Sequence, residues 1–266
     1  MLATGQITAV EPAANDIDRA FGRLYNFDFA GAHAAINKHI AAHPDDPFGY
    51  AIRSSTYVFS ELDRLGILES DFFSDDDRIS GKKKLKPDPG IKMRLFQSVD
   101  DTHARARAIL ASDPNNVNAL FSMCFTYGVL TDYSAFVEKK QIGSLSSVKK
   151  STAFAQHLLR VNPEFFDAYA STGMAEYVIG SLPFFVRWFV KIENIEGSKE
   201  QGIKKVLIAA KRGKYLKPFA KILLAVAYLR GKKPQEAADV LAELTRDYPE
   251  NPLFRKELVK LRAQRN

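Results

Sequence analysis

Apolar, small and aromatic positions recur along this chain at fixed distances from prolines. Counting from Pro114, an apolar residue stands at +6 (Leu120), a small one at +10 (Cys124) and a tyrosine at +13 (Tyr127). Counting from Pro163 gives Tyr169, Gly173 and Glu176, with Tyr177 one further on, and counting from Pro44 gives Tyr50, Ser54 and Tyr57. Nearer the C-terminus, Leu224, Ala225 and Tyr228 lie at i, i+1 and i+4, and Ala237, Leu241 and Leu244 at i, i+4 and i+7, before Pro249. Such intervals put each set on one face of a helix. A small residue two turns in lets a neighbouring helix approach, a ring one turn later fills the space beyond, and a proline separates one helix from the next. Each stretch between prolines is therefore predicted to be a helical hairpin that buries its apolar face only by stacking on the next.

Taken in order, a helix from Asp16 to Asn26 carries Ile17, Phe21 and Leu24, and Asp28 caps a second with Ala32, Ile36 and Ile40 inward. A longer helix runs from Phe48 to Leu65. The periodicity fails between Ile67 and Pro89, where Asp71, Asp75, Asp76 and Asp77 precede a lysine-rich run, so residues 67–89 are predicted as an insertion loop. Ile91 to Ala111 resumes as a helix through Leu95, Val99 and Ala106, paired with a helix from Val117 into the 130s. Gly143 to Ser147 reads as a polar joint, and helices follow through Phe154, Leu158 and Val161 and then from Phe165 to Ile179. Lys217 to Arg230 and Pro234 to Tyr248 form the clearest pair. Asn251 to Gln264 closes the chain as a capping helix, with Leu253, Leu258 and Leu261 inward and Arg255, Lys256, Lys260 and Arg262 outward. Residues 1–14 read as an unstructured leader and 15–266 as one repeat domain.

The Leu224-Ala225-x-x-Tyr228, Ala237-x-x-x-Leu241-x-x-Leu244 and Pro249 pattern resembles the tetratricopeptide repeat, whose unit is about 34 residues. That resemblance implies an all-α fold: a right-handed superhelical solenoid of about five to six antiparallel hairpins. A second, local resemblance covers 180–207, where Gly180-Ser-Leu-Pro leads through Arg187, Trp188, Phe189 and Ile192 to Glu196-Gly197-Ser198-Lys199 and Gly202-Ile203. This stretch is similar to a segment of the tetratricopeptide proteins of inclusion-body clearance, with Ser198 in place of an acidic residue. Both resemblances imply a non-enzymatic scaffold that binds a protein or peptide segment.

In tetratricopeptide proteins the inner groove is lined by the first helix of each pair. The corresponding positions are Phe48, Ala51 and Ser55, then Asn118, Phe121 and Phe125, then Asp167, Ala170 and Met174, with Tyr177 beyond. They are mostly apolar, and the lysine and asparagine set that clamps a peptide carboxylate in chaperone-binding members is missing. The groove is expected either to take an apolar segment or to be filled by the chain's own Leu182–Ile192 stretch, which is apolar nearly all round. The alternative for that stretch is contact with an anionic membrane surface through Phe184, Arg187, Trp188 and Lys191.

Composition narrows the picture little. With 266 residues, 46% of them apolar, the chain can bury an elongated core. The net charge of +7 permits acidic partners without naming one. No run of 18 apolar residues occurs, and the opening Met-Leu-Ala-Thr-Gly-Gln lacks the basic and apolar regions of a signal peptide. The chain as written is expected to be cytoplasmic, although one whose signal had been cut away would begin in the same manner. The single cysteine, Cys124, excludes an intrachain disulfide and occupies a small-residue slot of the repeat.

Candidate chemistry is sparse. His39 and His43 stand one helical turn apart near Asp45 and Asp46, but zinc wants a third or fourth ligand in tetrahedral reach, and helix-surface histidines are the simpler reading. The aspartates of 71–77 lack the glycine and closing glutamate of a calcium loop. No His-Glu-x-x-His, Gly-x-Ser-x-Gly or phosphate-cradling glycine loop occurs, and no catalytic residue, metal or cofactor is assigned. Lys204, Lys205, Lys211, Arg212, Lys214, Lys217 and Lys221 make a basic region, but few aromatic or amide side chains interleave with it, so specific nucleic-acid readout is not expected.

Overall fold

The structure, a computed structural model, describes residues 15–69, 85–182, 192 and 195–263. Eleven α-helices are found among them, with no strand. They are α1 (Asp16–Tyr25), α2 (Phe29–Ala42), α3 (Pro47–Arg64), α4 (Pro89–Ser112), α5 (Val117–Asp132), α6 (Gln141–Val161), α7 (Ala168–Ser181), α8 (Lys199–Arg212), α9 (Lys217–Arg230), α10 (Pro234–Asp247) and α11 (Pro252–Ala263). Consecutive helices pair as α1–α2, α3–α4, α5–α6, α7–α8 and α9–α10, and α11 packs on α10. First helices also touch along the stack, α1 to α3, α3 to α5 and α5 to α7, which is the arrangement of an all-α helical-repeat solenoid.

The prolines set the boundaries by backbone geometry. Four second helices stop at the residue before a proline: His43 (φ −135°, ψ 68°), Asp113 (−132°, 87°), Asn162 (−139°, 92°) and Tyr248 (−131°, 71°). The proline ring forbids the helical region to its predecessor, so chain direction changes there in the same way each time. Polar caps restart the helices. The Asp28 carboxylate accepts from Gly31 N, Asp46 from Phe48 N, Asp88 from Ile91 N and Asn116 from Ala119 N.

The small slots of the repeat are where helices meet. Ser54, Cys124 and Ala225 are buried. Gly173 is packed so closely on α8 that a Cβ would stand 2.8 Å from Val206 N and 2.9 Å from Gly202 O. Gly202 returns the contact, since a Cβ there would lie 2.5 Å from Tyr177 N. Gly180 and Gly197 extend the same seam, so the glycines of the 180–207 stretch serve the backbone approach of α7 and α8.

Three expectations are corrected. Gly143 to Ser147 is no joint but lies inside α6, with Ser144 buried; the break falls earlier, where a π-helical turn, Tyr133–Val137, ends α5. The helix expected from Phe165 begins only at Ala168, because the Asp167 side chain bonds elsewhere instead of capping it. In α11 it is Phe254 that is buried, and Leu253 is half-exposed. Asn251 caps that helix by accepting from Leu253 N (2.9 Å) and Phe254 N (3.3 Å), which turns Phe254 inward. The leader and most of the lysine-rich insertion lie outside the described residues.

Candidate functional site

The inner face is built by first helices, and its centre is aromatic. Phe48 of α3, Phe121 and Phe125 of α5 and Phe21 of α1 are all buried. Phe48 and Phe121 have ring centroids 5.1 Å apart, and Phe21 meets Phe125 edge-on at 6.2 Å. Tyr215, from the Gly213–Leu216 loop between α8 and α9, lies on this cluster, 5.1 Å from Phe21, 5.1 Å from Phe48 and 6.2 Å from Phe121. Phe219 reaches Phe59 of α3 at 6.1 Å. Tyr215, from the C-terminal half of the chain, therefore covers the expected groove positions Phe48 and Phe121. Sequence reasoning missed Tyr215, because a lone tyrosine in an inter-helix loop carries no periodic signal.

The polar groove positions are occupied too. Asp167 is buried, and its carboxylate accepts from Leu216 N at 2.6 Å and Lys214 N at 3.1 Å. Burial raises its pKa, and the backbone donors oppose the rise. A Cβ on Gly213 would lie 2.9 Å from the same carboxylate, so the loop needs glycine there. Ser55 is buried. Asn118 is exposed and donates to Asp46 at 2.7 Å. Of the expected groove residues, Met174 and Tyr177 remain at the edge of open space. With Ile203 and Val206 of α8 and Leu223 and Ala227 of α9 they line a small apolar cleft. Phe184, Arg187, Trp188 and Lys191, the expected membrane contacts, lie outside the described residues. No helix among the described residues is long and apolar enough to cross a membrane.

The titratable groups are tied into structure. His39 Nε2 lies 2.6 Å from the Asp46 carboxylate that also caps α3, and its ring packs on His43 at 4.8 Å. Among the described residues no three metal-ligating side chains converge. His33 lies against Tyr57, and burial, with Arg53 and Arg94 nearby, pushes its pKa down to about 4. His103 is lowered to about 4 by burial and by Arg107. The Thr126 hydroxyl donates to Ser122 O, so the 3.1 Å contact has His103 Nε2 donating to Thr126. Burial pushes the Cys124 thiol up to about 11, in keeping with its enclosed place between helices.

Several cations of the basic region pair with carboxylates of the chain. Lys204 pairs with Glu200 at 2.7 Å, Lys214 with Asp18 at 3.4 Å, and Lys221 with Asp247 and Glu243 at 3.0 Å each. The Arg212 guanidinium covers the Phe166 ring at 3.7 Å.

Fold and site thus define a helical-repeat protein with an aromatic inner face. Among solved structures it is similar to a thermophilic TPR protein from Thermus thermophilus, with 14% identity over 93% of this chain and 98% of that one and a TM-score of 0.48. No family model and no curated protein matches the chain.

Proposed function

We propose that this chain is a non-catalytic scaffold that binds another protein or a peptide segment through the inner side of its helical stack. The supporting observation is the apolar cleft between α7, α8 and α9, where Met174 and Tyr177, two of the expected groove positions, meet Ile203 and Leu223 at the surface. The cleft is shallow, so a partner segment would lie across its apolar rim rather than insert a side chain. The His39, His103 and Asp167 side chains are meanwhile hydrogen-bonded within the stack.

The test is affinity capture from the native source with the wild-type chain and with Tyr177→Glu, cross-linking the captured partner to map its contact. A partner that cross-links near α7 and is lost in a variant of unchanged melting temperature supports the reading. Equal capture by both chains, or cross-links confined to the outer helices, would remove it.

A further inference from the structure

The Gly213–Leu216 loop does something a solenoid loop does not normally do. Repeat units contact their neighbours, yet this loop joins the fourth hairpin to the fifth and places Tyr215 on Phe21, Phe48 and Phe121, which belong to the first three. The contacts are those by which a groove holds a peptide. An aromatic ring enters an aromatic recess. Backbone N–H groups of Lys214 and Leu216 donate to the buried carboxylate of Asp167. A lysine ammonium reaches Asp18 at the rim. The Tyr25 hydroxyl donates to the Tyr215 carbonyl at 3.0 Å. Every one of these groups could be supplied by another chain.

The loop also sits where it can leave. α8 ends at Arg212 and α9 begins at Lys217, so the segment that moves is four residues long, and its departure breaks the terminal Gly213 N to Ala209 O and Ala220 N to Leu216 O bonds of the two helices while leaving their central turns in place. Tyr215 and Leu216 are half-buried, and the Lys214 side chain is 60% exposed, whereas the rings beneath are buried.

We propose that Gly213–Leu216 is a built-in pseudo-ligand: it occupies a binding site on the inner face, and the partner carries a cationic, an aromatic and an aliphatic residue in succession, like Lys214, Tyr215 and Leu216. This rests on the scaffold reading above and names the segment such a scaffold accepts. A tethered competitor acts at an effective concentration of about millimolar, so removing its ring exposes the site to the same sequence supplied in trans.

Two measurements decide it. In native-state hydrogen exchange of the wild-type chain, the amides of Lys214 and Leu216 are expected to exchange through local opening, roughly 100-fold or more faster than amides of central α9 such as Leu224. Exchange at the same rate as Leu224 would make the loop ordinary core and overturn the proposal. A fluorescent synthetic peptide of residues 212–218 is then expected to bind Tyr215→Ala about tenfold or more tighter than wild type, and a peptide carrying Y215A to bind neither. Equal binding of the two peptides to folded Tyr215→Ala also overturns it. Should that variant fail to fold, the exchange experiment on the wild-type chain decides alone. A loop that does not open, with capture still lost in Tyr177→Glu, removes the pseudo-ligand and leaves the scaffold reading standing.

Discussion

His103 shows how single side chains here serve stability and give it a pH dependence. Its ring is buried against Tyr127 at 4.7 Å, and its pKa falls from 6.5 to about 4. His33 falls equally far. Below pH 6.5 the unfolded chain therefore takes up two protons that the folded chain refuses until about pH 4, and the stability these groups contribute is full above 6.5 and lost as the pH falls. Asp132 works with the opposite sign. Burial raises it from 3.8 to about 7, so its contribution is full below 3.8 and lost as the pH rises through 7. The two histidines pull the melting temperature down between pH 7 and pH 5, while Asp132, with Asp63 and Asp167, whose carboxyls burial also raises, pulls the other way; His103→Gln is expected to lose less stability than wild type over that interval. An identical pH profile in that variant would show that the imidazole is not held neutral. Neither histidine was singled out by sequence for this behaviour, because burial of a helix-face side chain depends on what packs over it.

Between helices, the legible part of the sequence was the punctuation. Prolines 44, 114, 163 and 249 announced where second helices stop, since the restriction on the preceding residue is local and needs no tertiary knowledge. Gly173 was likewise legible as a slot for close approach. The α6 boundary was not, because Ser144 and Ser151 look like loop residues until their hydroxyls find partners; the Ser151 hydroxyl donates to Cys124 O at 2.8 Å. The place of Tyr215 on the groove aromatics was illegible for a stronger reason: it meets Phe21 across 194 positions of sequence, beyond any periodic pattern. The α7–α8 seam supplies the test at this scale. In Gly173→Ala the new Cβ would meet backbone atoms at 2.8 and 2.9 Å, which cannot yield as a flexible side chain would. Overpacking costs about 1–3 kcal/mol, more than the roughly 0.5–1 kcal/mol that alanine gains over glycine within a helix. Chemical denaturation should show a net loss, and a gain would mean that α7 and α8 separate easily.

At the scale of the whole molecule, the last hairpin returns to the first. The Asn251 amide donates to Tyr25 O at 2.7 Å, and Glu250 N donates to Asn26 at 3.2 Å. Tyr25 packs on Tyr248 at 5.5 Å and Phe27 on Phe254 at 6.4 Å. Lys256 pairs with Glu69 at 2.8 Å. Asn251 both caps α11 and joins the two ends, and it is buried. Asn251→Ala removes a helix cap worth about 1 kcal/mol and leaves the Tyr25 carbonyl without its donor, worth about 1–3 kcal/mol more. The expected result is a loss of about 2–4 kcal/mol, with amide exchange accelerated in α1 as well as in α11. Acceleration confined to α11 would mean that the ends do not support one another. Because the ends meet, the number of hairpins is fixed. An open solenoid can lengthen by duplicating a unit, but here a sixth hairpin would drive Asn251 away from Tyr25 by about a helix diameter, roughly 10 Å. Gene duplication within this chain would have to break the circle before it could enlarge it.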